Sequence, residues 1–215
     1  VRKKEKKSHE CELDIKLKRR CKCYTLEEGE SLEDKEFNCG MGDKVYCIEE
    51  NLEYNGTAIT FSEGVQNTTL DCLGNSLRSN TTGDGVFMNG TTTKNNTVKN
   101  CNLTDYYNGF RIRDGPSNIS LINNTIKGNY GIVLHDTTYS TLENNTIDVV
   151  YYGISFVAGS NYNEIINNTI VNGDYGVYFY VIGGDNTFNH FENNTIKNND
   201  VGIFLSEHAI SSTFI

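Results

Sequence analysis

Apolar residues in this chain fall into short alternating runs, and the runs recur along it. Asn-Asn-Thr-Ile stands at 123–126, 144–147, 167–170 and 193–196, and Asn100-Cys101-Asn102-Leu103 fills the same slot one unit earlier. Five or six residues after each closing apolar residue comes a glycine followed by alternating apolar positions: Gly109-Phe110-Arg111-Ile112, Gly131-Ile132-Val133-Leu134, Gly153-Ile154-Ser155-Phe156, Gly176-Val177-Tyr178-Phe179 and Gly202-Ile203-Phe204-Leu205. Gly85-Val86-Phe87-Met88 is an earlier member. The glycine spacings are 24, 22, 22, 23 and 26. A period of two within each run indicates strands, and no stretch carries the helical period. A unit length that drifts while the strands keep theirs predicts a coiling solenoid with two short strands per unit, stacked about 4.8 Å apart. Leucine-rich repeats share the unit length, but they require a Leu-x-x-Leu-x-Leu frame and a helical segment that this sequence lacks.

Parity then places side chains. If Ile126 points inward, so does Asn124, and likewise Asn145 with Ile147, Asn168 with Ile170, and Asn194 with Ile196. An inward asparagine column accounts for a composition of 29 Asn, 21 Thr and 20 Gly against a single Pro. An amide carries both donors and acceptors, so it can pass hydrogen bonds from coil to coil, whereas proline would interrupt the ladder. Cys101 shares that column and is expected to end the amide ladder or to sit there as a small apolar plug. The same composition excludes a helical bundle, with alanine only at Ala58, Ala158 and Ala209. It also excludes collagen. No apolar run approaches the roughly 20 residues of a membrane span.

Charge is uneven. Residues 1–22 hold 10 basic and 4 acidic residues, a surplus of +6, so the remainder of a chain of net charge −9 carries −15. An acidic body argues against nucleic acid as a partner. The basic arm reads as a solvated segment.

The segment Thr68-Thr69-Leu70-Asp71-Cys72-Leu73-Gly74-Asn75-Ser76-Leu77, with the Asn-Asn-Thr-Ile and Tyr-Gly-Ile units after it, resembles the right-handed parallel β-helix repeats of NosD-like and other CASH-type proteins. The resemblance implies an all-β, right-handed parallel β-helix of about six coils over residues 45–215. Residues 1–44 would be a charged, Cys-bearing lead-in, and Ser211–Ile215 would open a further coil of a longer natural protein. Members of the family include surface and adhesin-like proteins, polysaccharide lyases, hydrolases and epimerases, and a periplasmic protein of copper-site maturation. It therefore speaks for the fold more than for one activity. The Asn-Thr-Asp, Asp-Asp and Gly-His-Gly signatures of pectin hydrolases of this fold are missing here.

Chemistry must come from residues the coil does not need. Counting from each glycine, Arg113 stacks beside His135 and Asp114 beside Asp136, with Arg111 close by. Two carboxylates about 5 Å apart could hold Ca²⁺ or act as an acid/base pair, and the arginines would bind a uronate carboxylate. The competing reading is charges paired locally at a wet strand-to-turn junction. Tyr130, Tyr152 and Tyr175 precede the glycines of three consecutive units, with Tyr107, Tyr151 and Tyr162 in neighbouring loops. They form a second candidate site, either an aromatic row for the faces of an extended glycan or ordinary strand packing.

Eleven Asn-x-Ser/Thr sequons begin at Asn55, Asn67, Asn80, Asn89, Asn95, Asn102, Asn118, Asn123, Asn144, Asn167 and Asn193. The last four are products of the repeat itself. Seven cysteines suggest disulfides at the N-terminal end. A Zn²⁺ clamp from His9, Cys11, Cys21 and Cys23 is the alternative. His190 and His208 stand apart, without a copper ligand set.

The leading expectation is a non-catalytic, secreted, cell-surface or periplasmic β-helix. It would serve as a stalk, adhesion or carbohydrate-binding platform, its partner an extended glycan or another surface protein. The alternative is a lyase, hydrolase or epimerase acting on a uronate-containing glycan. No cofactor is indicated beyond the Ca²⁺ that Asp114 and Asp136 could bind.

Overall fold

The computed structural model describes residues 24–25, 44–54, 56–79, 82–180, 183–207 and 209–215. These contain strands and turns and no helix, and the strands pair in parallel, each with the strand one coil away. Seven coils result rather than six. Each has three faces rather than the two strands read from the repeat.

The first face is a nine-stranded sheet running from Tyr24–Thr25 and Lys44–Cys47 through Ser120–Ile122 and Thr141–Glu143 to His190–Glu192 and Thr213–Phe214. The second face holds strands such as Ser76–Ser79, Thr146–Val149 and Thr169–Val171, and the third holds Asp84–Asn89, Tyr152–Val157 and Tyr175–Phe179. Two long strands, Asn102–Arg113 and Thr125–His135, bend across the corner and serve both faces. Tyr24–Thr25, within the lead-in, pairs with Tyr46 and Cys47 and so extends the first face.

The first and second faces each turn one apolar column inward, and the third turns two. In the fourth coil Leu121, Ile126, Ile132 and Leu134 meet at 0–1 % exposure, and each contributes about 1.5–3 kcal/mol by leaving water. The recurring glycines sit where the second face turns into the third, and close approach is what demands them. A Cβ on Gly176 would stand 2.5 Å from the Gly202 carbonyl oxygen and 2.6 Å from Ile196 Cγ2. In the first coil Ala58, one residue before Ile59 in register with Val86, takes this position, so a search anchored on glycine passes over that coil.

The expected amide column is present. Asn124 Nδ2 donates to Asn145 Oδ1 (3.0 Å), Asn145 Nδ2 to Asn168 Oδ1 (2.9 Å), and Asn168 Nδ2 to Asn194 Oδ1 (3.1 Å). Each oxygen also accepts the backbone N–H of the asparagine one coil earlier. Each Nδ2 also donates to a first-face carbonyl: Val98, Leu121, Leu142 and Ile165 in turn. The interior polar atoms are thereby satisfied without water. Cys101 does end this ladder. Its N–H donates to Asn124 Oδ1, and its sulfur is bonded to Cys72 in the coil before.

Two further polar columns line the turn from the third face back to the first. Ser140, Asn163 and Asn189 form one, with Asn163 Nδ2 donating to Asn189 Oδ1 at 3.0 Å and Asn163 Oδ1 accepting from the Ser140 N–H. Thr137, Ser160 and Asn186 form the other, through backbone N–H donors to Ser160 Oγ and Asn186 Oδ1. Outside the amide column, Asn123, Asn144, Asn167 and Asn193 all have φ between 54° and 56°. Asparagine tolerates that left-handed conformation better than most residues.

Candidate functional site

The outer surface of the third face carries both groups of candidate residues. Strand register aligns Asp84, Asn108, Tyr130, Tyr152, Tyr175 and Val201 in one outward column, and Phe87, Arg111, Val133, Ser155, Tyr178 and Phe204 in the next. Arg113 follows Asn89 in the third column, and His135 stands between Arg113 and Val157. Charged side chains occupy the early rows and aromatic ones the later rows of a single surface.

In the charged rows the pairs are local. Arg113 Nε lies 3.0 Å from Asp114 Oδ2, and His135 Nδ1 lies 3.2 Å from Asp136 Oδ2. Asp114 and Asp136 stand at successive corners with φ 62° and 53°. Each carboxylate thus stands within ion-pair distance of the residue before it in sequence, although neither Arg113 Nε nor His135 Nδ1 makes a hydrogen bond, and both carboxylates are exposed. Arg111 points elsewhere, reaching Asp84 Oδ2 at 3.8 Å and lying over the Phe87 ring at 5.7 Å. Asp84 is nearly buried and accepts a 2.6 Å hydrogen bond from Asn108 Nδ2.

Ca²⁺ takes six to eight oxygen ligands. Among the described residues no group of three or more His, Cys, Asp or Glu side chains is placed to hold a metal ion. His9, Cys11, Cys21, Cys23, Cys39 and His208 lie outside the described residues, as do the sequons at Asn55 and Asn80.

The aromatic rows are continuous. Tyr130 is 5.1 Å from Tyr107, 5.1 Å from Tyr151 and 5.4 Å from Tyr152, centroid to centroid. Tyr152 stacks on Tyr178 at 4.8 Å with planes 7° apart, and Tyr178 stacks on Phe204 at 4.8 Å and 10°. Tyr175 and Tyr180 close the cluster edge-on. The rings cover Ser155, whose outward hydroxyl is buried at 1 % exposure and has no hydrogen-bond partner. Burial, then the hydrogen bond to Tyr107, pushes the Tyr130 phenol up to about 12. Burial likewise raises those of Tyr178 and Tyr180. The pre-glycine pattern located Tyr130, Tyr152 and Tyr175. It missed Tyr178 and Phe204, two residues after their glycines, and Tyr180, four after, because the same +2 position holds Arg111, Val133 and Ser155 in the coils before and so carries no aromatic repeat.

A family model described as a right-handed β-helix region matches residues 57–215. The chain belongs to the right-handed β-helix family. No curated protein and no solved structure matches it. Most of what repeats in this β-helix is the coil itself, so the assignment accounts for the asparagines, glycines and inward aliphatics and leaves the third-face tyrosines to be explained separately.

Proposed function

We propose that this β-helix is a non-catalytic, surface-exposed stalk whose third face binds an extended glycan. The carrying observation is the run of eight contacting aromatic rings from Tyr107 to Phe204 on one outer face. Rigid rings bearing polar hydroxyls suit the mixed apolar and polar surface of a sugar chain, and most of them sit on paired strands that fix their spacing. The Cys72–Cys101 disulfide, together with a disulfide at Cys47, supports an extracytoplasmic setting.

Glycan-array binding by the chain tests the proposal. Tyr107→Ala and Tyr151→Ala remove the two most exposed rings, each worth about 0.5–1.5 kcal/mol, and should weaken binding several-fold, while Tyr139→Ala at another corner should not. Absence of any glycan ligand would leave a protein partner for this face. Release of unsaturated or hydrolysed uronate, abolished by Asp114→Ala or Asp136→Ala, would replace the stalk with an enzyme.

A further inference from the structure

At the corner that enters the first face, every coil from the second onward places one residue in the left-handed region. Asn67, Asn95 and Asn118 come first, with φ between 52° and 57°. Their amides bond coil to coil: Asn95 Nδ2 donates to Asn67 Oδ1 (3.0 Å) and Asn118 Nδ2 to Asn95 Oδ1 (2.7 Å). The next three coils use Tyr139, Tyr162 and Phe188 at the same φ, between 54° and 56°. A bulky residue at positive φ is an outlier, and such outliers concentrate at functional positions. Burial does not explain these rings, which are 61 %, 45 % and 51 % exposed. What they share is registry. Tyr139 and Tyr162 lie 5.1 Å apart with planes 6° apart, and Tyr162 and Phe188 lie 5.0 Å apart, also at 6°. Backbone bonds from the Tyr139 N–H to the Asn161 carbonyl and from the Tyr162 N–H to the Thr187 carbonyl hold the rungs in place.

We propose that Tyr139 and Tyr162 form an oxidative modification site, joined as an inter-coil dityrosine by a haem peroxidase with hydrogen peroxide. Each phenol gives up one electron and one proton. The two phenoxyl radicals form one carbon–carbon bond between positions ortho to the oxygens, and each ring regains aromaticity by moving the displaced ring proton to its oxygen. In sum, two phenols and one hydrogen peroxide yield one biaryl bond and two waters. Co-facial stacking sets the ortho carbons of one ring against those of the next, and exposure admits an enzyme-sized oxidant. The other tyrosine pairs each lack one of these features: Tyr107–Tyr130 and Tyr130–Tyr151 are tilted by 55° and 35°, and Tyr152–Tyr178 is co-facial but half-buried. The product would tie the fifth coil to the sixth, as Cys72–Cys101 ties the second to the third.

The test treats the dilute full chain with peroxidase and hydrogen peroxide, then reads dityrosine fluorescence and maps cross-linked peptides. The expected main product joins positions 139 and 162 within one molecule. Tyr139→Phe should lower it at least tenfold with an unchanged far-UV spectrum, because Phe188 already occupies this stack without a hydroxyl. Phe188→Tyr should add a second product joining 162 and 188. The proposal is overturned if no dityrosine forms, if Tyr139→Phe leaves the yield unchanged, or if the product maps to Tyr152–Tyr178 or between molecules.

Discussion

Asn145 offers the sharpest test of what holds the coils together. Its Oδ1 accepts two hydrogen bonds from Asn124, from N–H and Nδ2, both at 3.0 Å, while its Nδ2 donates to the Leu121 carbonyl at 2.8 Å and to Asn168 Oδ1 at 2.9 Å. The residue is 1 % exposed, so water cannot replace these partners without opening the coil. At about 0.5–1.5 kcal/mol net per bond, and with the Asn124 N–H left buried without its acceptor, Asn145→Ala should cost about 3–5 kcal/mol. Asn145→Asp keeps the accepting oxygen but sets a second carboxylate oxygen against the Leu121 and Asn168 oxygens, so it should destabilise at least as much. Asn144 is the internal control. It is exposed, with φ 56° and one 3.2 Å bond to Glu143, and Asn144→Ala should cost only about 1 kcal/mol, for the left-handed backbone. Urea unfolding of the variants checks the difference. Amide exchange should be read beside it, because solenoids can lose cooperativity between coils. Equal costs at positions 144 and 145 would refute the claim that the buried ladder carries the stacking.

The glycine column predicts a contrast along one repeated position. Gly176→Ala should cost about 1–3 kcal/mol through overpacking against Gly202 and Ile196, whereas a Cβ at Gly202 meets only Ile196 Cγ2, at 4.0 Å, so Gly202→Ala should be near neutral by thermal denaturation. For the tyrosine wall, a phenol raised to about 12 means that the folded chain keeps a proton that the unfolded chain has already lost near its ordinary value of about 10. The stabilisation is therefore complete below about pH 10 and is lost as pH rises towards 12. In an alkaline absorbance titration Tyr130→Phe should remove one late-ionising phenol and soften the fall in stability over that window.

The parts of the fold legible in the sequence are those where chemistry repeats without variation. The interior admits only an amide at 124, 145, 168 and 194, and close backbone approach admits only glycine at 131, 153 and 176, so both columns are visible as motifs. The first face escapes because Leu70, Val98, Leu121, Leu142, Ile165 and Phe191 satisfy one geometric need with different apolar residues on strands of three or four residues. The corner of Thr137, Ser160 and Asn186 escapes similarly, since hydroxyl and amide oxygens accept the same backbone proton. At the candidate site, coil spacing suffices to put Arg113 beside His135. The choice of Asp114 by Arg113 and of Asp136 by His135 depends on side-chain reach, which spacing does not encode.

Identical Asn-Asn-Thr-Ile rungs pose a counting problem for a folding chain. Sliding one segment by a whole coil would give Asn145 a partner as good as Asn168, so the amide ladder favours stacking without specifying which coil meets which. The Cys72–Cys101 bond is different in kind, since it joins one particular pair of rungs and not a repeated one. It acts as an index mark from which the later coils are numbered, and a chain lacking it would be exposed to frame-shifted, domain-swapped stacks more than to simple unfolding.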